Sequence, residues 1–168
     1  MPISMHQAAI PTVIRALENL ASVLDKAAQQ IDAKKFPAEA FVNARLYPDM
    51  FPLSKQVQIA SDVSKGGCAR LAQVEAPAFE DNETTFPQLV ERMNKTIAFL
   101  KTLKPEQIDG SEDRTVTWKT RTSERSMKGQ PYLLNHVLPN VFFHCATAYD
   151  ILRHNGVELG KQDFLGKS

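Results

Sequence analysis

Four long stretches of this chain place apolar residues at helical spacing, and this pattern constrains its fold more than any other feature. In the first stretch, about residues 5–35, apolar residues follow one another in steps of three and four for about six turns. The same spacing returns after Pro52, after a cap at Thr84 or Thr85, and over residues 129–156. Each stripe must pack against another helix to leave water. The sequence therefore predicts an all-α four-helix bundle.

Several residues interrupt the predicted helices. Pro11 falls inside the first stretch, so that helix either begins or kinks there. Gly66 and Gly67 lie within the second helix, where each costs about 1 kcal/mol relative to alanine. They indicate a helix end or a tight helix contact, or alternatively the close approach of a ligand. In the last helix, Pro139 leaves a carbonyl of the preceding turn without its donor and predicts a bend just before Asn140.

A short segment before the last helix has a different composition. The sequence TVTWKT, residues 115–120, is rich in β-branched side chains, and RTSERSMKG follows it. Together they predict a β-hairpin inserted between the third and fourth helices. An isolated two-stranded hairpin needs packing to be stable, and Trp118 can supply it.

Length and charge exclude several classes of protein. With 168 residues the chain is long enough for one domain, residues 1–168, with its own core. The 20 basic and 19 acidic side chains nearly cancel and form no basic block, so we expect no nucleic-acid partner. No apolar run reaches the length of a membrane span, and the first residues do not resemble a signal peptide. Cys68 and Cys145 are then expected to be free thiols in the cytoplasm.

The last helix carries the candidate site. Asn140 and His144 are four residues apart and therefore share one helix face, where a two-ligand metal site would lie. His144 is expected at the edge of the apolar stripe, either as a general base or ligand contact, or as a structural histidine. Cys145 falls at the centre of the stripe and is expected to be an inert core thiol. His6, His136 and His154 are expected to be solvated.

The chain also resembles a known group of proteins. The most specific segment is NVFFHCATAYDILRHNGVELGKQDFLG, residues 140–166, and VIRALENLASVLDKAA and PLSKQVQIASDVSKGGCARL in the first two helices also fit. These segments resemble the DinB-like superfamily, and more closely a family of uncharacterised function within it. The resemblance spans nearly the whole chain. It implies a DinB-like bundle with a long first connection, and it implies a homodimer.

Metal-binding members of that superfamily use three histidines, one from the second helix and two from the fourth. The resemblance places His144 on one of these positions and Asn140 on another, and the helix-two position falls on Gln56 or Gln58. Helical phase favours Gln56, because it borders the apolar stripe. Amides are weak zinc or nickel ligands compared with imidazole. We therefore expect no bound metal and no other cofactor.

Three functions are compatible with these features. The first is a bundle that binds a small molecule, without a metal, in a pocket bordered by Gln56, Asn140 and His144. The second is a divergent metal-dependent enzyme of the thiol-transferase kind, with a rebuilt ligand set. The third is a non-catalytic bundle that dimerises or binds a partner protein. The sequence names neither a substrate nor a reaction.

Overall fold

A computed structural model describes residues 2–120 and 122–166. Of the described residues 63% are helical, about twice the share found in an average globular domain, which confirms the helical fold class. Within the described residues, no helix is both long enough and apolar enough to cross a lipid bilayer. In chain order the elements are α1 (Met5–Ala33), α2 (Ala38–Val42), α3 (Leu53–Ala72), α4 (Phe86–Leu100), α5 (Pro105–Ile108), β1 (Thr115–Lys119), β2 (Glu124–Lys128), α6 (Gly129–Tyr132), a π-helical turn (Leu133–Val137), α7 (Leu138–His154) and α8 (Lys161–Leu165).

Four long helices form the bundle. Helix α3 packs against α4 and α7, and α1 packs against the same two helices, so all four apolar stripes meet in one core. Capping boxes fix where two of the helices begin, since Ser4 and Thr85 each accept a hydrogen bond from the backbone three residues later. Helix α1 begins at Met5, so Pro11 lies inside it and does not start it.

The predicted hairpin is present before the last helices. Strands β1 and β2 are antiparallel, with Thr115 opposite Lys128. Val116 and Trp118 point to the buried side of β1, and their neighbours on the strand are exposed. The Trp118 ring lies 4.8 Å from the ring of Tyr132 and so joins the hairpin to α6. This packing stabilises a pair of strands that would be marginal alone.

A π-helical turn changes which leucine enters the core. The helical spacing of apolar residues over 129–156 predicts Leu134 in the core stripe. In the structure Leu134 is 47% exposed, and Leu133 is fully buried instead. The N–H of Leu138 donates to the carbonyl of Leu133, five residues back, so the turn holds one residue more than an α-helical turn. The extra residue rotates the preceding side chains by about 100° relative to the rest of the helix. Pro139, which lacks an N–H, begins the α-helix just after this turn.

The glycine pair of α3 lies at a tight helix contact. A Cβ atom on Gly67 would lie 2.8 Å from both methyl carbons of Val137, closer than such atoms approach in proteins. A Cβ on Gly66 would meet only the flexible guanidinium end of Arg70, at 3.0 Å. Gly67 therefore lets α3 approach the π-helical turn, as expected for a tight helix contact.

Alanine at these two glycines is expected to act in opposite directions. Gly66→Ala should be neutral or stabilising, because alanine forms helix better by about 1 kcal/mol. Gly67→Ala gains the same propensity but overpacks the contact with Val137, so it should be less stable than Gly66→Ala by about 1–3 kcal/mol. Urea unfolding of both variants measures this difference. Equal stabilities would contradict the tight contact.

Candidate functional site

The candidate site is built around a hydrogen bond between α7 and α3. His144 Nδ1 lies 2.7 Å from Gln56 Oε1. Gln56 is almost completely buried, and its amide nitrogen donates to the backbone carbonyl of Phe51 at 3.1 Å. Because this bond occupies the nitrogen, the amide oxygen faces His144 and accepts the hydrogen of Nδ1. The network thus assigns the proton of a neutral imidazole to Nδ1 and leaves the lone pair on Nε2.

Burial keeps the His144 ring uncharged near neutral pH. Its side chain is half-buried, and this burial lowers the pKa of the imidazole below its usual range. The edge of the Phe143 ring lies against it, with the ring centres 5.2 Å apart. Among the described residues, Nε2 has no hydrogen-bond partner. This nitrogen can therefore accept a hydrogen bond from a bound molecule or remove a proton from it.

Asn140 lies one turn before His144 but is oriented differently. Its Nδ2 donates to the backbone carbonyl of His136 at 2.7 Å and lies 3.5 Å from His136 Nδ1. The side chain is half-buried, and Oδ1 makes no hydrogen bond within the described part of the chain. Gln56 and His144 are thus in direct contact, whereas the amide nitrogen of Asn140 is turned towards the π-helical turn. Its oxygen remains as an acceptor.

Gln58, the alternative to Gln56, belongs to a different cluster. It is buried, and its amide nitrogen donates to Glu83 Oε2 at 2.9 Å. Glu83 lies in the connection between α3 and α4, away from α7. Gln56 is therefore the α3 residue that shares the site with His144.

Two histidines expected to be solvated are half-buried. The His136 ring lies 4.6 Å from Trp118 and stacks on Tyr132, because the hairpin covers this side of the helix. Burial, together with the charges of Arg125 and Arg70, lowers the pKa of His136. His6 is also half-buried, and its Nε2 lies 3.3 Å from a backbone carbonyl. Those two predictions are wrong.

His154, by contrast, is exposed near the end of α7, as predicted. It is the last residue of α7. It shares a helix with His144 but lacks that residue's burial. This difference makes His154 the matched control for substitutions of His144.

The donor set at this site does not fit a metal ion. It offers one imidazole, His144, and the side-chain oxygens of two amides. The Gln56 oxygen already accepts a hydrogen bond from that imidazole, and the nitrogens of both amides are bonded to backbone carbonyls. Across residues 2–120 and 122–166, no group of three or more His, Cys, Asp or Glu side chains is arranged to hold a metal. No step that requires a metal follows from these residues.

A second polar cluster, which no sequence pattern indicates, is centred on Arg92 of α4. Its side chain is only 2% exposed, yet the guanidinium lies 2.9 Å from both Glu83 and Asp62. It also lies 3.0 Å from Asp81. Glu83 and Asp81 come from the connection between α3 and α4, so Arg92 fastens this connection to the bundle. We refer to Arg92 and its carboxylate partners as the Arg92 cluster.

Lysines complete the Arg92 cluster. Lys65 lies 2.7 Å from Asp62, and Lys55 lies 2.5 Å from Asp81. Burial would raise the pKa of Asp81, but its bond to Lys55 and the charges of Lys55 and Arg92 outweigh this and lower it. Three cations thus meet three carboxylates. The charges balance within the cluster, which suits a structural clamp better than a binding site for a charged ligand.

Comparison with known proteins places these features in a family. Residues 5–165 match the family described as "Domain of unknown function (DUF1993)". A crystal structure of a DinB family member protein from Shewanella denitrificans has a similar fold, with a TM-score of 0.88. It is 35% identical in sequence, and the match covers 97% of this chain and 92% of that one. A search among curated proteins found no match. The chain therefore belongs to the DUF1993 family of DinB-like domains of unknown function.

Proposed function

We propose that this protein binds a small organic molecule, without a metal ion, at the site formed by Gln56, Asn140 and His144. The observation that carries the proposal is the hydrogen bond from His144 Nδ1 to the buried oxygen of Gln56. It orients the ring and directs the lone pair to Nε2. A half-buried imidazole with one nitrogen held by the fold and the other without a protein partner is suited to contact a ligand.

The remaining polar atoms define the chemistry of this ligand. His144 Nε2 and Asn140 Oδ1 are both acceptors, and neither has a hydrogen-bond partner within the described residues. The ligand should therefore present donors, such as a hydroxyl, thiol or amine group. The ring of Phe143, which is 56% exposed, lies against His144. Phe51, whose backbone carbonyl accepts from Gln56, is 47% exposed. Such rings favour a molecule that has an apolar part next to its donor group.

Substitution of His144 should abolish binding and leave the fold intact. We expect at least one of glutathione, ethanolamine and benzyl alcohol to bind; these probes are a thiol, an amine and an alcohol. A probe present at ten times its Kd should raise the Tm of the wild type by about 3–6 °C. The rise should vanish in His144→Leu, because leucine removes the only imidazole of the site. Thermal unfolding followed by circular dichroism measures it.

The exposed residue His154 provides the matched control, since it lies on the same helix outside the site. His154→Leu should keep the full rise in Tm. An equal rise in His144→Leu would refute the proposed site, as would the failure of all three probes at about 10 mM, a concentration that detects even weak binding.

Binding should also weaken in acid. The folded pKa of His144 is lowered from 6.5, so the ring is neutral above pH 6.5 and gains a proton only as the pH falls through that lower value. Protonation removes the Nε2 acceptor. Protein stability should fall as the pH drops from 6.5 to that lower value, because the unfolded chain takes up its proton first. Titration of the bound probe between pH 8 and 5 tests this, and tighter binding at pH 5 would contradict it.

A second candidate function is self-association. Phe142 and Phe143 of α7 are 41% and 56% exposed, and Phe51 is also exposed nearby in sequence to Gln56. Large exposed aromatic side chains favour a protein interface, and two-fold homodimers are the commonest oligomers. Light scattering distinguishes a dimer from the 18.8 kDa monomer. Phe143→Ser should convert a dimer to the monomer if α7 forms the interface.

A further inference from the structure

A cavity lies on another side of α7. It has a volume of about 260 Å³, lies between α1, α7 and α8, and is partly open to solvent. Ala16 and Leu20 line it from α1, Cys145 and Tyr149 line it from α7, and Phe164 closes it from α8. None of the three residues of the proposed site lines this cavity. The two sites are therefore separate.

The cavity walls are mostly apolar, with polar or charged groups from Thr12, Asn19 and Arg15. Burial raises the pKa of the Cys145 thiol to about 12, so this group is protonated at neutral pH. Asn19 and Arg15, which lie at the rim, direct nitrogens to the backbone carbonyls of Phe164 and Leu165 at 3.1 and 3.2 Å. These polar groups bind the end of α8. The interior thus offers few partners to water.

Polar contacts outside the cavity fix the position of α8. Lys26 of α1 forms an ion pair with Asp163 at 2.9 Å, and Asp163 also accepts the N–H of Gly160. The ring of Phe164 packs edge-on against Tyr149 with 6.1 Å between centres. These contacts hold α8 in place while space remains beneath it. The apolar side chains that line this space lack dispersion contacts on one side, and a ligand that filled it would supply them.

We propose that this cavity is a binding site for a small, neutral aromatic or aliphatic molecule. Its size supports this class of ligand, since an apolar cavity of about 150 Å³ in another protein binds benzene. The larger cavity here has room for a two-ring molecule. A neutral ligand is favoured because the mostly apolar walls offer little to replace the water around an ion.

Indole is a suitable probe, because it is neutral and has two fused rings. Titration of the full chain, followed by ¹H–¹⁵N NMR, should give saturable shifts with a Kd on the order of 1 mM. The shifts should centre on residues 12–23 of α1 and on Cys145 and Tyr149. Ala16→Phe fills the cavity from α1 and should raise the Kd at least about tenfold. Ala98→Phe, the same change on the exposed face of α4, should leave the Kd unchanged.

Three results would each overturn the proposal. The first is the lack of saturable shifts in the wild type, and the second is shifts centred on Gln56 and His144 instead. The third is unchanged affinity in a folded Ala16→Phe variant. Should that variant fail to fold, the wild-type shift map still decides the location, and Val23→Phe repeats the filling test from the next turns of α1.

Discussion

Arg92→Met is expected to lower the free energy of unfolding by about 3–5 kcal/mol, a large fraction of the stability of a chain of this size. The side chain is almost completely buried and meets Asp62, Asp81 and Glu83. Methionine keeps much of the volume but removes the positive charge. The Glu83 carboxylate, which is only 10% exposed, would then remain buried without its closest cation. Its desolvation cost would no longer be offset.

Lys95→Met is the matched control for this prediction. Lys95 lies one turn further along α4 and pairs with Glu91, but both side chains are more than half exposed. An exposed pair contributes about 0–1 kcal/mol, so this variant should unfold nearly as the wild type does. Urea unfolding measures both free energies. A loss below about 1 kcal/mol for Arg92→Met would show that the Arg92 cluster does not hold the connection to the bundle.

A combined variant tests whether the cluster is a unit. The double variant Arg92→Met/Glu83→Gln removes both the guanidinium and the Glu83 carboxylate that would otherwise be left unpaired. This variant should recover part of the stability lost in Arg92→Met, because replacing both members of a buried pair costs less than removing one. With the single variant Glu83→Gln measured as well, a double-mutant cycle gives the interaction free energy of the pair.

The sequence predicted the parts of the fold that depend on periodicity. The apolar stripes, the cap at Thr85 and the β-branched strand around Trp118 are local signals, and the structure confirms each of them. Leu134 shows where such reasoning fails. Its predicted burial assumes an uninterrupted α-helix. The π-helical turn adds one residue and places Leu133 in the core instead. Pro139 predicted a bend in this part of the helix, but it did not predict a π-helical turn.

The candidate site was predictable only in part. Helical phase distinguished Gln56 from Gln58, since the side of α3 that carries the apolar stripe is also the side that meets α7. The backbone carbonyl of Phe51, which orients Gln56, is supplied by the connection before α3, and no sequence pattern indicates it. The half-buried state of His136 likewise depends on the hairpin lying over the helix. Contacts between distant segments decide these details.

Histidines at two of the site positions should create a zinc site that the wild type lacks. Gln56→His and Asn140→His, made together, would place three imidazoles around one point with His144. Positions 140 and 144 share a face of α7, and position 56 of α3 contacts position 144 directly. Three histidines are a sufficient protein ligand set for zinc. Zinc at 100 times its Kd should then stabilise the double variant by about 2.7 kcal/mol.

Position 58 supplies the control that makes this result specific. Gln58→His with Asn140→His adds the same number of imidazoles, but position 58 faces Glu83 and the connection to α4. This variant should bind no zinc, and neither should the wild type. Isothermal titration with zinc chloride measures all three proteins. If the wild type bound zinc as tightly as the Gln56→His/Asn140→His variant, the conclusion that the amides of Gln56 and Asn140 do not fit a metal ion would be refuted. Such binding would also favour the alternative of a metal-dependent enzyme of the thiol-transferase kind over a metal-free binding site, because the site would then hold the ion that such chemistry requires.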